Sequence, residues 1–284
     1  KKKLSNINLQ YKNDLKFFLS EFNKFIKNKK IKKFHKWLRL IHVWKKKYPV
    51  MEKKYLKDRG INSFYFIDTL SKSLNGNETI VTDMGTSFTC TMQSLKIQNC
   101  NKQRLFTSSG LASMGFGLPG AIGAYFADRK NNIICITGDG GFMFNMQELQ
   151  TISHYKIPMK IFILENKGYL TMKLMQKKNF NRLVGSNKAS GVSFPEFKKI
   201  AKSFNFKYFK ITKNNMKKQL KEIVELKQPT IIEINMPSNQ PLVPRIQNKL
   251  LSDGSFVTPK LDDLYPFLNK KVLNHERLIA TKIK

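Results

Sequence analysis

One segment narrows the fold of this chain more than any other. The apolar run Ile133-Ile134-Cys135-Ile136-Thr137 leads straight into Gly138-Asp139-Gly140-Gly141. Asn145 then begins a helical stretch, Met146 to about Tyr155, which Pro158 ends, and Met159 to Leu164 forms a second apolar run closed by Glu165-Asn166. Short, fully apolar runs separated by a helix read as buried parallel strands, because a strand covered on both faces has no polar alternation. A right-handed crossover makes the two strands parallel and puts Asp139 and Asn166, 27 residues apart, at neighbouring C-terminal strand ends. In open α/β sheets that edge is where ligands bind. A carboxylate, an amide oxygen and glycines that admit close backbone approach suit a hard divalent cation holding a diphosphate.

The rest of the chain extends the pattern. A helix is expected from Asn62 to Leu74, then a strand at Thr79–Thr82, a short strand at Leu105–Thr107, and a Gly/Ala-rich stretch from Ser108 to Ala127. Further on come a helix at Phe194–Phe204, a strand at 206–211, a helix at Met216–Leu226 and a strand at Thr230–Ile234. Alternating strands and helices predict an α/β fold, a doubly wound, mostly parallel sheet with helices on both faces. Ahead of it, residues 5–10 alternate like a strand, Asn13 or Asp14 caps a helix Leu15–Ile26, and a Lys-rich helix carries Trp37, Leu40, Ile41 and Trp44 before Pro49. The expected domains are therefore 1–50, a strand–helix remnant and linker, 51–240, the sheet domain, and 241–284, a tail wrapping the surface.

The formal net charge of +33 invites a nucleic-acid reading. Its distribution opposes one. Residues 1–60 hold 20 Lys and Arg against 4 Asp and Glu, whereas residues 81–150, with the glycine-rich motifs, hold 5 against 4. Only 7 of the 52 basic residues are Arg, the preferred reader of bases and phosphates. The charge is read as a solvated Lys-rich surface, and nucleic acid as a remote alternative partner. No run approaches the roughly 18 apolar residues of a membrane helix, so no membrane is expected. Three cysteines without metal-ligand spacing, Cys90, Cys100 and Cys135, fit free thiols in a reducing cytoplasm, Cys135 as an inert buried one.

Three segments are thus expected to converge at strand ends: Met84-Gly85-Thr86-Ser87, Gly110 to Gly117, and Gly138 to Gly141 with Asn166. Together with Phe144-Asn145-Met146-Gln147-Glu148-Leu149 and the stretch Thr107 to Pro119, this pattern resembles the metal and diphosphate signature of thiamine-diphosphate enzymes, and within them the acetolactate synthase branch. The resemblance covers about residues 60–240 and makes residues 1–50 look like the end of that family's central domain. It implies that Asp139, the Asn166 side chain and the Gly168 carbonyl bind Mg²⁺, and that backbone at Gly85, Thr86, Ser87, Gly140 and Gly141 cradles the diphosphate of thiamine diphosphate. It also implies that Met114 is the apolar wedge bending the cofactor, with Ala112 and Met114 backbone bonded to the aminopyrimidine. The implied reaction is decarboxylation of a pyruvate-like 2-keto acid, followed by carboligation or release.

Other polar residues take structural readings. Asn145 is expected as an N-cap, Gln147 and Glu148 as helix residues, His154 as a polar helix end, and His35, His42 and His275 show no partner pattern. Glu165 stands where many members of that family have an Asn before the residue matching Asn166, which the resemblance makes the metal ligand. The resemblance assigns the activating glutamate to a pyrimidine-binding domain, which nothing in these 284 residues matches. No catalytic residue is therefore assigned here. The expected partner is that domain, on the same full-length protein or another subunit of a homodimer or tetramer, and a non-catalytic cofactor-binding paralogue is the rival reading. No flavin site is seen.

Overall fold

The computed structural model describes residues 11–27, 29, 34–129 and 132–283. Two compact units divide them: residues 49–269, and the described part of 1–48 together with 270–283.

The smaller unit contains α1 (Leu15–Lys27), α2 (His35–Lys47) and, from the far end of the chain, a helix at Lys270–Thr281. Asp14, one of the two caps expected, accepts from Lys16 N and Phe17 N at 3.0 and 3.2 Å and so starts α1. The C-terminal helix is tied to α2 through Glu276, which accepts from Trp44 Nε1, Tyr48 OH and Lys47 Nζ. The strand expected at residues 5–10 lies outside the described residues.

The larger unit runs α3 (Ser63–Ser71), β1 (Glu78–Thr82), α4 (Thr86–Ser94), β2 (Arg104–Phe106), α5 (Gly117–Ala127), β3 (Asn132–Gly138), α6 (Asp139–Phe144) and α7 (Glu148–His154). It continues with β4 (Lys160–Glu165), α8 (Leu170–Phe180), α9 (Phe197–Ser203), β5 (Lys207–Ile211), α10 (Met216–Val224) and β6 (Thr230–Asn235). A two-stranded hairpin, β7 (Lys249–Leu250) with β8 (Phe256–Val257), follows in the tail. The six main strands pair in the order β2-β1-β3-β4-β6-β5, and every pairing is parallel. This is the α/β sheet the apolar runs predict.

Alternate residues of each strand feed two separate cores. Ile80, Ile134, Ile136, Phe162, Leu164, Ile232 and Ile234 face the core made with α3, α4 and α10. Val81, Ile133, Cys135, Ile161, Ile163 and Ile231 face the core made with α5, α6, α7 and α9. Burial on both faces is why these strands read as unbroken apolar runs.

The helix after Asp139 is a correction. A single helix capped by Asn145 was expected; instead α6 begins at Asp139 itself and stops at Asn145, and α7 starts only at Glu148. Asn145 is a C-cap, with φ −133° and ψ 32°. Its side-chain amide turns back to donate to the Gly115 carbonyl at 2.9 Å, which breaks the helical run and ties it to the glycine-rich loop. Four helices were not anticipated: α4 and α8, which begin at the C-terminal ends of strands, α5 in the Gly/Ala-rich stretch, and the helix Lys270–Thr281 in the expected tail.

Candidate cofactor site

The parallel sheet places the ends of β1, β3 and β4 side by side, since Thr82 pairs with Ile136 and Gly138 with Leu164. Asp139 follows β3 directly and is buried, at 1% exposure. Its Oδ1 accepts from its neighbour Gly140 N at 2.8 Å, and its Oδ2 accepts from Asn166 N at 3.0 Å and Gly168 N at 3.2 Å. The pair 27 residues apart in sequence thus meets at one point. Burial raises the Asp139 pKa to about 6, against the opposing pull of the backbone N–H groups from Gly168, Gly140 and Asn166.

Asn166 is equally buried, and its Oδ1 has no hydrogen-bond partner. A buried amide oxygen left unpaired is costly. Beside a carboxylate it forms a hard oxygen donor set, and the described residues hold no cluster of three or more His, Cys, Asp or Glu that would suit another kind of metal centre. These residues fit a hard divalent cation such as Mg²⁺. Gly168, the expected third ligand, has φ +148°, and a Cβ there would collide with the Ser186 carbonyl oxygen, so only glycine closes this corner. Between Asn166 and Gly168, Lys167 is also left-handed, at φ +62°. Lys173 donates to the Asn166 and Ser238 carbonyls at 3.2 and 2.8 Å and brings a positive charge near Asp139, a residue the sequence reading missed.

Gly85 caps α4 with φ 80° and ψ −133°, and Thr86 and Ser87 are buried in the first helical turn. Thr171, at the start of α8, lies 3.9 Å from where a Gly85 Cβ would stand. Gly140 and Gly141 lie buried in the first turn of α6. Helix starts with free N–H groups are anion sites. Ala112 and Met114 sit on the loop before α5, Ala112 at φ 56° and Met114 38% exposed, beside Leu111 at 88%. The structure therefore brings Gly85, Thr86, Ser87, Asp139, Gly140, Gly141, Asn166 and Gly168 to one sheet edge, with the Ala112–Met114 loop joined to it through Gly115.

That join is made by Asp83, which the sequence reading does not single out. It accepts from Met84 N at 2.7 Å, Gly115 N at 3.0 Å and Thr137 Oγ1 at 2.9 Å, and burial pushes its pKa up. Glu165 is half-buried; burial and the nearby Glu233 raise its pKa, opposed by Lys167 and Lys210. Glu148 accepts from Thr151 Oγ1 at 3.0 Å within α7, His154 is exposed at that helix's end, and Cys135 is a buried thiol with a raised pKa, as expected.

Residues 83–234 match the C-terminal TPP binding domain of the thiamine pyrophosphate enzymes. The chain belongs to that family. Among curated relatives it is 32% identical to the acetolactate synthase large subunit of Porphyra purpurea over 212 residues, 74% of this chain and 35% of the relative. The corresponding protein of Cyanidium caldarium is 32% identical over 82% of this chain and 39% of its own length. Acetolactate synthase 1, chloroplastic, of Zea mays is 30% identical over 88% of this chain and again 39% of its own. The chain thus spans little more than a third of these relatives, and what it matches is the cofactor-binding domain of an acetolactate synthase-like thiamine pyrophosphate enzyme. No helix among the described residues is long and apolar enough to cross a membrane.

Proposed function

We propose that this chain holds the Mg²⁺ and diphosphate of thiamine diphosphate in an enzyme that decarboxylates a pyruvate-like 2-keto acid and then ligates or releases the product. The observation that carries this reading is the buried, unpaired Oδ1 of Asn166 beside the Asp139 carboxylate at the sheet edge where α4, α6 and α8 begin. Asp139, Asn166 and the Gly168 carbonyl are the metal ligands in this reading. Backbone N–H groups at Gly85, Thr86, Ser87 and Gly141 take the phosphate oxygens, the Gly140 N–H being held by Asp139 Oδ1, and Ala112 and Met114 support the aminopyrimidine. When bound, the cofactor supplies the nucleophilic carbon and the electron sink. The chain's own part is to bind, orient and bury the charged end. The likeness to acetolactate synthases favours ligation, a transferase outcome, over simple release.

The activating glutamate is assigned to a pyrimidine-binding domain on the full-length protein or a partner subunit, so the present chain alone is inactive and the working unit is a dimer or tetramer. A reducing compartment such as the cytoplasm suits the free thiols of Cys90, Cys100 and Cys135. The test is pyruvate consumption by the full-length protein with Mg²⁺ and thiamine diphosphate. Turnover that stops when the metal is chelated is the expected result. Cofactor binding without turnover would replace the enzyme reading with that of a non-catalytic paralogue.

A further inference from the structure

Asp83 is buried at the end of β1, and no Lys or Arg pairs with it among the described residues. A buried carboxylate without a cation is costly unless neutral donors saturate it. Here the donors come from segments far apart in sequence. Oδ1 accepts from Met84 N and Gly115 N at 2.7 and 3.0 Å. Oδ2 accepts from Thr137 Oγ1 at 2.9 Å and lies 3.2 Å from Gly115 N. The Gly117 backbone bonds it as well. A Cβ on Gly141 would stand 2.5 Å from Oδ2, so α6 packs its glycine directly on this carboxylate.

These contacts join regions with different tasks. Met84 leads into Gly85–Ser87, and Thr137 and Gly141 flank Asp139; both regions belong to the diphosphate end. Gly115 follows Met114 and belongs to the aminopyrimidine end. The loop from Ser109 to Met114 is exposed, and Ala112 and Gly115 are both left-handed, at φ 56° and +88°. With little burial of its own, the loop is held by Asp83 on the Gly115 N–H and by Asn145 on the Gly115 carbonyl, the latter at 2.9 Å. The bonds that build the Asp139, Asn166 and Gly168 corner do not involve Asp83.

We propose that Asp83 is a positioning residue that fixes the distance and orientation between the diphosphate-binding corner and the loop carrying Met114. This rests on the reading of the site as a thiamine-diphosphate site. The carboxylate acts as a common anchor: the same oxygens that receive Gly115 pack against Thr137 and Gly141. Without it the metal corner keeps its own bonds, and the loop loses its register against that corner.

The test compares two probes on the intact protein with Mg²⁺ present: inorganic pyrophosphate, which occupies only the diphosphate end, and thiamine diphosphate, which spans both ends. Asp83→Asn keeps the size but sets an amide N–H₂ against donors. The expected result is a loss of thiamine-diphosphate affinity at least tenfold greater than the loss of pyrophosphate affinity. Faster amide exchange at Met114 and Gly115, with Asn166 and Gly168 unchanged, is expected alongside. Thr137→Val, a change of similar volume that removes one donor to Oδ2, gives a smaller loss of the same selectivity and serves if Asp83→Asn does not fold. Equal weakening of both probes, or of neither, in the variant that folds overturns the proposal. If the wild type binds neither probe, the site reading itself falls, and the proposal with it.

Discussion

The two edges of the sheet invite comparison, because each buries a carboxylate that gathers three donors. At the N-terminal edge Glu78 accepts from Asn75 N, Gly76 N and Gln103 Nε2 at 2.6, 3.0 and 2.7 Å. At the C-terminal edge Asp139 accepts from Gly140, Asn166 and Gly168. Even an unpaired amide oxygen occurs at both, Asn77 Oδ1 near Glu78 and Asn166 Oδ1 beside Asp139. An orphaned atom alone therefore does not mark a site. What separates the edges is direction. A parallel sheet with crossover helices sends α4, α6 and α8 away from the C-terminal ends of β1, β3 and β4, so their free N–H groups collect there. At the other edge the positive charge is a lysine: Lys160 at the start of β4, fully buried, whose amine donates to the Pro158 carbonyl at 3.0 Å. One edge gathers helix N-termini around its carboxylate; the other is closed on itself.

That contrast can be broken by exchanging stability for binding. Glu78→Ala leaves the Asn75, Gly76 and Gln103 donors without their acceptor and is expected to cost about 3 kcal/mol of folding stability, measured by urea unfolding. Thiamine-diphosphate affinity of the folded variant is expected to stay within about twofold of the wild type. A large loss of affinity from Glu78→Ala would erase the distinction between the edges.

Lys160 makes the stability of the N-terminal edge depend on pH. Burial lowers its pKa to about 8, the Lys227 charge adds to this, and Glu225 and Glu78 oppose it. The folded state thus holds its proton less tightly than the unfolded chain. The resulting destabilisation is complete below about pH 8 and fades as pH rises towards the ordinary lysine value of 10.5. Lys160→Met is expected to gain on the order of 2 kcal/mol at pH 7, with the gain shrinking by pH 10. A gain independent of pH would assign the effect to packing instead.

The sequence displayed the fold most clearly where burial is two-sided. Runs such as Ile133–Thr137 and Met159–Leu164 can hardly be anything but central parallel strands, and their order along the chain set Asp139 beside Asn166. The helices α4 and α8 were hidden for opposite reasons. Thr86 to Ser94 is rich in Thr and Ser, and buries Thr86, Ser87, Cys90, Thr91 and Ser94, so it lacks an apolar stripe. Leu170 to Phe180 buries Leu170 alone and leaves Met172, Met175 and Phe180 exposed, so its apolar residues follow no one face. Asn145 was misread as an N-cap and Asp83 was not singled out, because a lone polar residue at an element's end reads as a turn or a cap. Their partners, both at Gly115, are about 30 residues away, and no local pattern announces them.

In the proposed site the Asp139 carboxylate anchors a metal-held diphosphate. Calorimetric titration of Asp139→Ala with thiamine diphosphate and Mg²⁺, beside the wild type and a chelator control, tests it most directly. Metal-dependent binding is expected of the wild type, and no measurable binding of a variant whose circular dichroism shows it folded. Undiminished binding by folded Asp139→Ala, or wild-type binding indifferent to the chelator, would contradict it.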